Sequence, residues 1–350
     1  MVRCLLALLV AAAVVCRPCW NEPKFISVRD GINKNVASTW KAAISTNIPY
    51  DNEEALRRLC GSKMDATLLR QECEKQARGS QTNQAATGNS TRRLQTLPTN
   101  FDLRQAYPNC WSIKYVRNQA NCGSCWAVAS ITSISDRFCI ANTKRGVPTT
   151  RTFSYQDALE CGVASNSGCN GSYMHAGFAF AQSQGVVSGE NYQNFTTCKP
   201  YSFSPLAYGA NALAPSCRRS CTHTAVYPTP FAADKYKISS YKYITGPNTQ
   251  AIVAAAMSDI FTFGSITSGY DVYNDFFYYR SGVYQRSGFN SYYVGGHAVR
   301  IVGWGVEGGI AYWLAANSWG AHWGIGGFFK IAKGTNHCRI ESFMVSGSVN

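Results

Sequence analysis

Three short motifs contain residues whose chemistry is complementary. Cys125 stands just before an apolar segment with helical spacing, so the sequence predicts that its thiol lies at the first turn of a buried helix. The positive end of the helix dipole there favours thiolate over thiol, as a nucleophile requires. His297 follows two glycines at the start of an apolar run, and Asn317 follows a second apolar run. A cysteine, a histidine and an asparagine in this order are typical of thiolate–imidazolium catalysis.

Cys122 and Cys125 also form a C-x-x-C pair, which can indicate a redox site or a zinc site. A redox site requires a βαβ context and a zinc site requires a second pair at zinc spacing, and the sequence shows neither. A single histidine beside a strand is more often structural than catalytic, so His297 is a candidate only together with Cys125 and Asn317. The sequence therefore predicts nucleophilic catalysis without a metal or an organic cofactor.

A helix and several strands must position these residues. Residues 126–138 place apolar side chains at helical spacing, namely Ala127, Val128, Ile131, Ile134 and Phe138. The second half has short β-branched and aromatic runs separated by glycines, which predict antiparallel strands at residues 241–245, 271–279, 298–305 and 312–316. A helical half followed by a β half predicts an α+β fold with a cleft between the halves.

The N-terminal region differs in composition from the rest of the chain. Residues 1–16 contain one arginine and then an apolar run too short to span a bilayer, which predicts a signal peptide for secretion. Residues 17–96 form a predicted propeptide with short helical patterns, and its residues 76–95 are a polar linker open to proteolysis. The mature domain is predicted to be residues 97–350, without a membrane span, in the lysosome, the vacuole or outside the cell.

The composition is that of a globular protein, with 45% hydrophobic and 15% charged residues among 350. The formal net charge of +14 could indicate a polyanionic partner, but the charges are scattered, which favours a solvated basic surface and no nucleic acid. Ten of the fifteen cysteines follow residue 97. If Cys125 is catalytic, at least one of the other nine is unpaired, and four disulfides with one free cysteine fit this number.

Three motifs resemble those of the papain family of cysteine proteases: Cys122-Gly-Ser-Cys-Trp126, Gly296-His-Ala298 and Asn317-Ser-Trp319. Further motifs, in the predicted mature domain and in the propeptide, are similar to the cathepsin B branch: Gly168-Cys-Asn-Gly171, Ser281-Gly-Val-Tyr284, Gly303-Trp-Gly-Val306, His337-Cys-Arg-Ile-Glu341, Thr39-Trp40 and Arg58-Leu-Cys-Gly61. The resemblance covers nearly the whole chain. It implies a papain-like two-lobed fold, with a helical left lobe, an antiparallel β-barrel right lobe and the active-site cleft between them.

The resemblance implies a role for each residue of the site. Cys125 attacks the peptide carbonyl as a thiolate, and His297 as an imidazolium protonates the leaving amine. Asn317 orients the imidazole, and Trp319 shields the hydrogen bond between them from water. The side chain of Gln119 and the backbone N–H of Cys125 form the oxyanion hole.

The resemblance also implies the residues that bind substrate: Gly171, Ser172, Gly296, Ala298, Trp319 and Phe343. Ser172 departs from the family, which has a second glycine there, and it adds a side chain to the cleft. Phe343 departs as well, in the pocket for the second side chain before the scissile bond, here called the second-residue pocket. Cathepsin B has an acidic residue there that receives arginine. An arginine against an aromatic wall gains only a cation–π contact, so we expect the pocket to prefer Val or Leu over Arg.

The resemblance also implies how the cysteines pair. The family pattern pairs Cys110 with Cys139, Cys122 with Cys169, Cys161 with Cys217 and Cys198 with Cys221, and it leaves Cys338 reduced and buried.

Sequons begin at Asn89, Asn170 and Asn194. Asn89 lies in the linker, and a glycan on Asn170 would obstruct the cleft, so Asn194 is the expected site of modification.

The family's propeptide runs through the cleft against the substrate direction, which places residues 59–61 over Cys125. We therefore expect a latent precursor that matures by cleavage between residues 78 and 97, with Arg92-Arg93 as the most attractive bond. The expected partners are peptide and protein substrates, the protein's own propeptide and cystatin-like inhibitors. The enzyme is expected to be a monomer.

Residues 199–216 correspond to the occluding loop of cathepsin B, in which two adjacent histidines bind the C-terminal carboxylate of a substrate. This loop contains neither a histidine nor a cysteine. Lys199 at its base is expected to be a flexible ammonium and a weak replacement for two fixed imidazoles. We expect an endopeptidase with little or no dipeptidyl carboxypeptidase activity.

Two other functions would use the same residues. A catalytically weak or inactive cathepsin B homologue could act as a binding protein, but such proteins usually lack the nucleophile, and here Cys125, His297, Asn317 and Gln119 are all present. A transglutaminase or a peptide ligase has a similar triad, so the sequence leaves transpeptidation open as a side activity.

Overall fold

The computed structural model describes residues 23–67, 70–71, 74, 96–164, 167–205, 212–288 and 291–349. The predicted signal peptide and the linker with its Arg92-Arg93 bond lie outside the described residues. Within them, no helix is both long enough and apolar enough to cross a bilayer. The α-helices with fully described bounds are α1 (Pro23–Lys34), α2 (Glu53–Arg58), α3 (Leu103–Ala106), α4 (Trp111–Lys114), α5 (Cys125–Lys144), α6 (Tyr155–Cys161), α7 (Met174–Ser183) and α8 (Thr249–Phe263).

The helical lobe is built around α5, which begins at Cys125 as the apolar spacing predicts. Helices α6 and α7 pack against it. The side chains between them form a buried cluster that includes Trp126, Ile131, Leu159 and Phe178. The candidate nucleophile therefore belongs to the central helix of this lobe.

The second lobe is a sheet with its own hydrophobic core. Its strands are β1 (Trp40–Ala42), β2 (Phe101–Asp102), β3 (Ser240–Tyr243), β4 (Ile266–Tyr273), β5 (Tyr279–Tyr284), β6 (Tyr293–Glu307), β7 (Ile310–Ala316), β8 (Phe328–Ala332) and β9 (Phe343–Ser348). The order is β1-β5-β8-β7-β6-β4-β9-β3, with β2 also paired to β6. The two separate cores agree with the expected two-lobed α+β fold.

The expected closed antiparallel barrel is corrected by the strand pairing. Strands β5 and β8 are parallel, and the two end strands of the described sheet, β1 and β3, do not pair with each other. The physical reason lies at one edge, where β1 from the N-terminal segment occupies the free side of β5 that closure would need.

The single strand predicted for residues 271–279 is also wrong. Strand β4 ends at Tyr273, and Asn274–Tyr278 forms a 3-10 helix before β5 begins. Phe276 and Phe277 within this turn are buried in the core of the sheet lobe. A buried aromatic turn has the same composition as a strand, so composition alone did not separate the two.

Four disulfides join Cys110 to Cys139, Cys122 to Cys169, Cys161 to Cys217 and Cys198 to Cys221, which are the pairs that the resemblance implies. Among the described residues, Cys60, Cys125 and Cys338 are free thiols. Cys338 is half-buried and not fully buried as expected, because it lies in an irregular turn with a φ of 50° and not in a strand.

The N-terminal segment, residues 23–67, packs on the sheet lobe. Trp40 is buried, and its indole N–H donates a hydrogen bond to the carbonyl of Gln285 at 2.8 Å. The side-chain amide of Asn33 donates to the carbonyl of Ala42 and accepts from its N–H, each at 2.9 Å. Helix α1 and strand β1 are thereby joined into one unit that extends the sheet.

Lys199 is not the flexible ammonium expected from the sequence. Its side chain is 1% exposed, and its Nζ atom lies 2.9 Å from Asp157 and 3.0 Å from Glu160 on α6. Both carboxylates are buried, and they also pair with Lys235 and Arg218. Lys199 therefore anchors the base of its loop on the helical lobe, because two buried carboxylates need a cation between them.

Replacing Lys199 by methionine should lower the free energy of unfolding by about 3 kcal/mol, because Asp157 and Glu160 lose the buried cation between them and keep only the more exposed Lys235 and Arg218. Urea unfolding at neutral pH measures this change. Lys330→Met is the matched control, since the Lys330–Glu307 pair is partly exposed, at 21% and 45%. The control should lose far less, and equal losses in the two variants would contradict the role given to Lys199.

Candidate active site

Cys125 is the first residue of α5, and its side chain is fully buried. The loop before it is held by the Cys122–Cys169 disulfide and by a 2.9 Å hydrogen bond from the Gly123 N–H to the carbonyl of Cys169. The thiol thus lies at the positive end of the helix dipole, which favours its ionised form once the site is solvated.

His297 and Asn317 meet because β6 and β7 are neighbours. His297 lies on β6, Asn317 follows β7, and the strands pair antiparallel. Nε2 of His297 is 2.8 Å from Oδ1 of Asn317. An amide oxygen can only accept a hydrogen bond, so Nε2 carries the proton and Nδ1 is the acceptor. Nδ1 makes no hydrogen bond of normal geometry among the described residues, and the backbone of Leu59 in the N-terminal segment lies beside the ring.

Trp319 covers the hydrogen bond between His297 and Asn317. Its ring centroid lies 4.9 Å from that of His297, and the residue is 1% exposed. Excluding water strengthens such a bond, so Trp319 helps to hold the imidazole in one orientation.

Gln119 is held by two residues that the sequence analysis did not single out. Oγ of Ser318 donates to Oε1 of Gln119 at 2.6 Å, and the hydroxyl of Tyr201 donates to its backbone carbonyl at 2.8 Å. Nε2 donates to the carbonyl of Cys122 at 2.9 Å and lies 3.4 Å from the carbonyl of Arg58 in the cleft. Ser318 stands inside a catalytic motif and could have been found there. No sequence signal connects Tyr201 with Gln119.

The N-terminal segment crosses the cleft in front of Cys125. Three backbone hydrogen bonds hold it to both walls: Ser172 N–H to the Gly61 carbonyl at 3.1 Å, Lys63 N–H to the Ser172 carbonyl at 2.9 Å and Ser62 N–H to the Gly296 carbonyl at 2.9 Å. Gly171, whose φ is 83°, allows this approach, because a Cβ atom there would lie 2.5 Å from the carbonyl oxygen of Gly61. Of the predicted substrate-binding residues, Ser172 and Gly296 therefore bind a peptide backbone in this structure, and Gly171 lies against it.

The occupied cleft keeps both catalytic candidates neutral. Burial raises the pKa of the Cys125 thiol to about 12, while backbone hydrogen bonds of Ala298, Gly61 and Trp126 act in the opposite direction. Burial lowers the pKa of His297 to about 4, against the hydrogen bond to Asn317. At neutral pH the closed form therefore contains a thiol and an imidazole, because desolvation disfavours the ion pair.

An apolar pocket lies beside Cys125. Ala129, Met174, Ala298 and Phe343 form its buried apolar wall, and Met64 of the N-terminal segment packs against that wall. Ala298 and Phe343 were expected to bind substrate. Met174 was missed, although its position three residues after Gly171 places it near the predicted backbone contacts.

The two sequons in the described residues differ in their surroundings. Asn170 is exposed, and the following residues Gly171 and Ser172 are covered by the N-terminal segment. Asn194 lies in a half-buried loop position, where Oγ1 of Thr196 donates a hydrogen bond to its Oδ1 at 2.6 Å. The sequon hydroxyl at Asn194 is thus already engaged with the amide group that a glycan would modify.

Comparison with known proteins identifies the class to which this fold and site belong. The family model described as papain family cysteine protease matches residues 97–348, and the chain belongs to that family. Cathepsin B-like cysteine proteinase 3 of Caenorhabditis elegans is 42% identical over 72% of this chain and 66% of the relative. The gut-specific cysteine proteinase of Caenorhabditis elegans is 41% identical over 73% of this chain and 74% of the relative.

A solved structure extends the similarity to the N-terminal segment. Procathepsin B S9 from Trypanosoma congolense is 26% identical, covers 93% of this chain and 98% of its own, and superposes with a TM-score of 0.73. Within the papain family the chain is therefore cathepsin B-like, and its structure is similar to that of a proform.

Proposed function

We propose that the protein is a cathepsin B-like cysteine endopeptidase that is made as a latent precursor. The observation that carries the proposal is the backbone of residues 61–63, hydrogen-bonded to both walls of the cleft in front of Cys125. His297 and Asn317 stand assembled beside it. In this proposal residues 1–16 are a signal peptide, residues 17–96 are an inhibitory propeptide and residues 97–350 are the mature enzyme.

When the cleft is open, the proton of Cys125 moves to Nδ1 of His297, and the thiolate attacks the carbonyl carbon of the substrate. Nε2 of Gln119 and the N–H of Cys125 donate to the carbonyl oxygen as it becomes negative. His297 then protonates the leaving amine, and the C–N bond breaks to leave a thioester on Cys125. Water, deprotonated by His297, hydrolyses the thioester while Asn317 keeps the imidazole in place.

Substrate backbone would pair with Ser172 and Gly296 as residues 61–63 do, and its second side chain before the scissile bond would take the place of Met64. The proposed partners are peptide and protein substrates and cystatin-like inhibitors, bound by a monomeric enzyme. The disulfides suit the oxidising secretory pathway, which leads to the lysosome, the vacuole or the exterior. Asn194 is the proposed glycosylation site.

Sequencing the products of a peptide library tests this function, with recombinant precursor from which the residues before Leu97 have been removed. An endopeptidase cleaves inside the peptides. A binding protein leaves them intact, and a transpeptidase attaches an added amine nucleophile to the new C-terminus. Intact peptides would refute the proposal, and so would amine-capped products without any hydrolysed products.

The second-residue pocket should prefer aliphatic side chains. Its described lining is apolar, and Met64 packs against that lining in the closed form. Reporters that differ only in Leu or Arg at this position should show a ratio of kcat/KM of about tenfold or more in favour of Leu, because the buried arginine would lack a carboxylate in the lining. Equal kcat/KM values for the two reporters would refute this preference.

The enzyme should cleave peptide bonds inside polypeptides, and it should not remove dipeptides one after another from the C-terminus. Lys199, the cation within residues 199–216, is buried between Asp157 and Glu160 and cannot reach a substrate carboxylate. The product ladder of a long peptide with a free C-terminus should show internal fragments. Loss of successive dipeptides, abolished when the C-terminus is amidated, would show that another group binds the carboxylate.

A further inference from the structure

A charged pair lies beside the second-residue pocket. The guanidinium of Arg339 binds both oxygens of Asp271, with Nε at 2.7 Å and Nη2 at 2.6 Å. The Arg339 side chain is 44% exposed and that of Asp271 only 12%, so the guanidinium lies between the carboxylate and solvent. The same guanidinium carbon lies 5.3 Å from the ring centroid of Phe343, which lines the pocket.

Strand pairing places Asp271 next to the occupant of the pocket. Asp271 is directly opposite Gly296 in the β4–β6 ladder, and side chains opposite each other in antiparallel strands have Cβ atoms about 5 Å apart. A Cβ atom at Gly296 would lie 3.0 Å from the terminal methyl of Met64. The Asp271 side chain therefore stands beside the end of the side chain that fills the pocket.

Gly269 supports the same placement from along the strand. It precedes Asp271 by two residues on β4, so the two positions share a face of the sheet. A Cβ atom at Gly269 would lie 3.1 Å from the sulfur of Met64 and 2.8 Å from the methyl of Met174. Gly269 has no side chain, so Met64 and Met174 lie directly against β4 at that position. Asp271 is the next residue on the same face of β4, and its side chain borders the pocket.

Arg339 is kept in an unfavourable backbone conformation at this point. Its φ is 61°, and Asn336 and Cys338 nearby also have positive φ, of 52° and 50°. L-residues rarely adopt this region, whereas glycine adopts it without strain. A glycine at position 339 would avoid this strain, but it has no side chain that could contact Asp271 and Phe343. These two contacts are therefore what the arginine adds at this position.

We propose that Asp271 is a receptor for a basic substrate side chain, and that Arg339 occupies this receptor from within the chain. Arg339 thereby acts as a specificity-determining residue, because it neutralises the carboxylate that a substrate arginine would otherwise reach. The inference rests on the proposed endopeptidase function. It adds that the apolar preference of the pocket is set by the Arg339–Asp271 pair as well as by Phe343.

The test measures kcat/KM of the mature enzyme on the paired Leu and Arg reporters. Arg339→Gly, which suits the positive φ, should raise the Arg-to-Leu ratio about tenfold, because the freed carboxylate can pair with the substrate guanidinium. Arg339→Gln, which keeps the length of the side chain without its charge, should raise the ratio in the same direction. The gain should appear mainly in KM for the Arg reporter and decrease as salt is added.

Three controls separate this effect from a pocket that has merely been opened. Arg339→Lys keeps the cation and should stay near the unmodified ratio. Asp271→Asn in the Arg339→Gly background should abolish the gain, and Asp271→Asn alone should not raise the ratio. An unchanged ratio in both uncharged variants, or a gain that persists without Asp271, would overturn the proposal. If the unmodified mature enzyme does not cleave the Leu reporter, it is the proposed function that fails and not the specificity of the pair.

Discussion

Replacing Cys125 by alanine should reduce kcat/KM of the mature enzyme by at least about 10⁴-fold, because no other group can form the acyl intermediate. Cys125 is the free thiol at the N-terminus of α5, beside the assembled His297–Asn317 pair. Hydrolysis of a Leu reporter by the processed form measures the loss. Contaminating proteases are excluded by purifying the variant and the unmodified enzyme in parallel.

Cys338→Ala is the matched control for this substitution, since Cys338 is also a free thiol in the described chain but lies half-buried in an irregular turn outside α5. It should keep most of the activity. A Cys125→Ala variant within about tenfold of the unmodified enzyme would contradict the assignment of the nucleophile. So would a loss of activity in the Cys338→Ala variant as large as that in the Cys125→Ala variant.

The second large effect concerns latency. A Cβ atom at Gly61 would overlap the carbonyl group of Gly123, a backbone group in the loop that positions Cys125. Gly61→Ala must therefore displace the N-terminal segment from the cleft. Overpacking of this kind costs about 1–3 kcal/mol, so the segment should inhibit the mature enzyme about 10- to 100-fold more weakly. The inhibition constant of the isolated segment, with and without the substitution, measures this change.

Lys63→Ala provides the comparison for Gly61→Ala. The Lys63 side chain is exposed, and its contribution to the cleft is the backbone N–H that donates to Ser172, which alanine retains. Inhibition should therefore remain near that of the unmodified segment. If Gly61→Ala inhibits as well as Lys63→Ala, the close approach of Gly61 to the catalytic loop does not determine latency.

The positions of Cys125, His297 and Asn317 in the fold could be predicted from the sequence because these residues stand in short, distinctive motifs. Cys125 precedes a helical apolar pattern, and His297 and Asn317 each adjoin a strand, so local sequence already indicates their surroundings. The cysteine pairs followed from the family resemblance in the same way. Motif and periodicity are sufficient where a residue's role depends on its immediate neighbours in the chain.

Contacts between distant parts of the chain could not be predicted in this way. Lys199 looked like a flexible surface cation, and its burial depends on carboxylates of α6 that stand 42 and 39 residues earlier in the chain. The Arg339–Asp271 pair spans 68 residues and carries no motif. The pairing of β1, a strand from the N-terminal segment, with β5 at the edge of the sheet likewise carries no local signal. Each of these requires knowledge of which elements become neighbours in three dimensions.

The most direct test of the central claim is the labelling of Cys125 before and after removal of the residues that precede Leu97. An epoxide that alkylates activated thiols is added to the purified precursor and to the processed form, and mass spectrometry of the peptides locates the label. We expect little labelling of Cys125 in the precursor, where the N-terminal segment crosses the cleft and burial raises the pKa of the thiol to about 12. In the processed form we expect labelling of Cys125 to completion, in step with the loss of peptidase activity. Equal labelling of Cys125 in both forms, or a processed form that neither takes the label nor cleaves peptides, would contradict a latent cysteine peptidase.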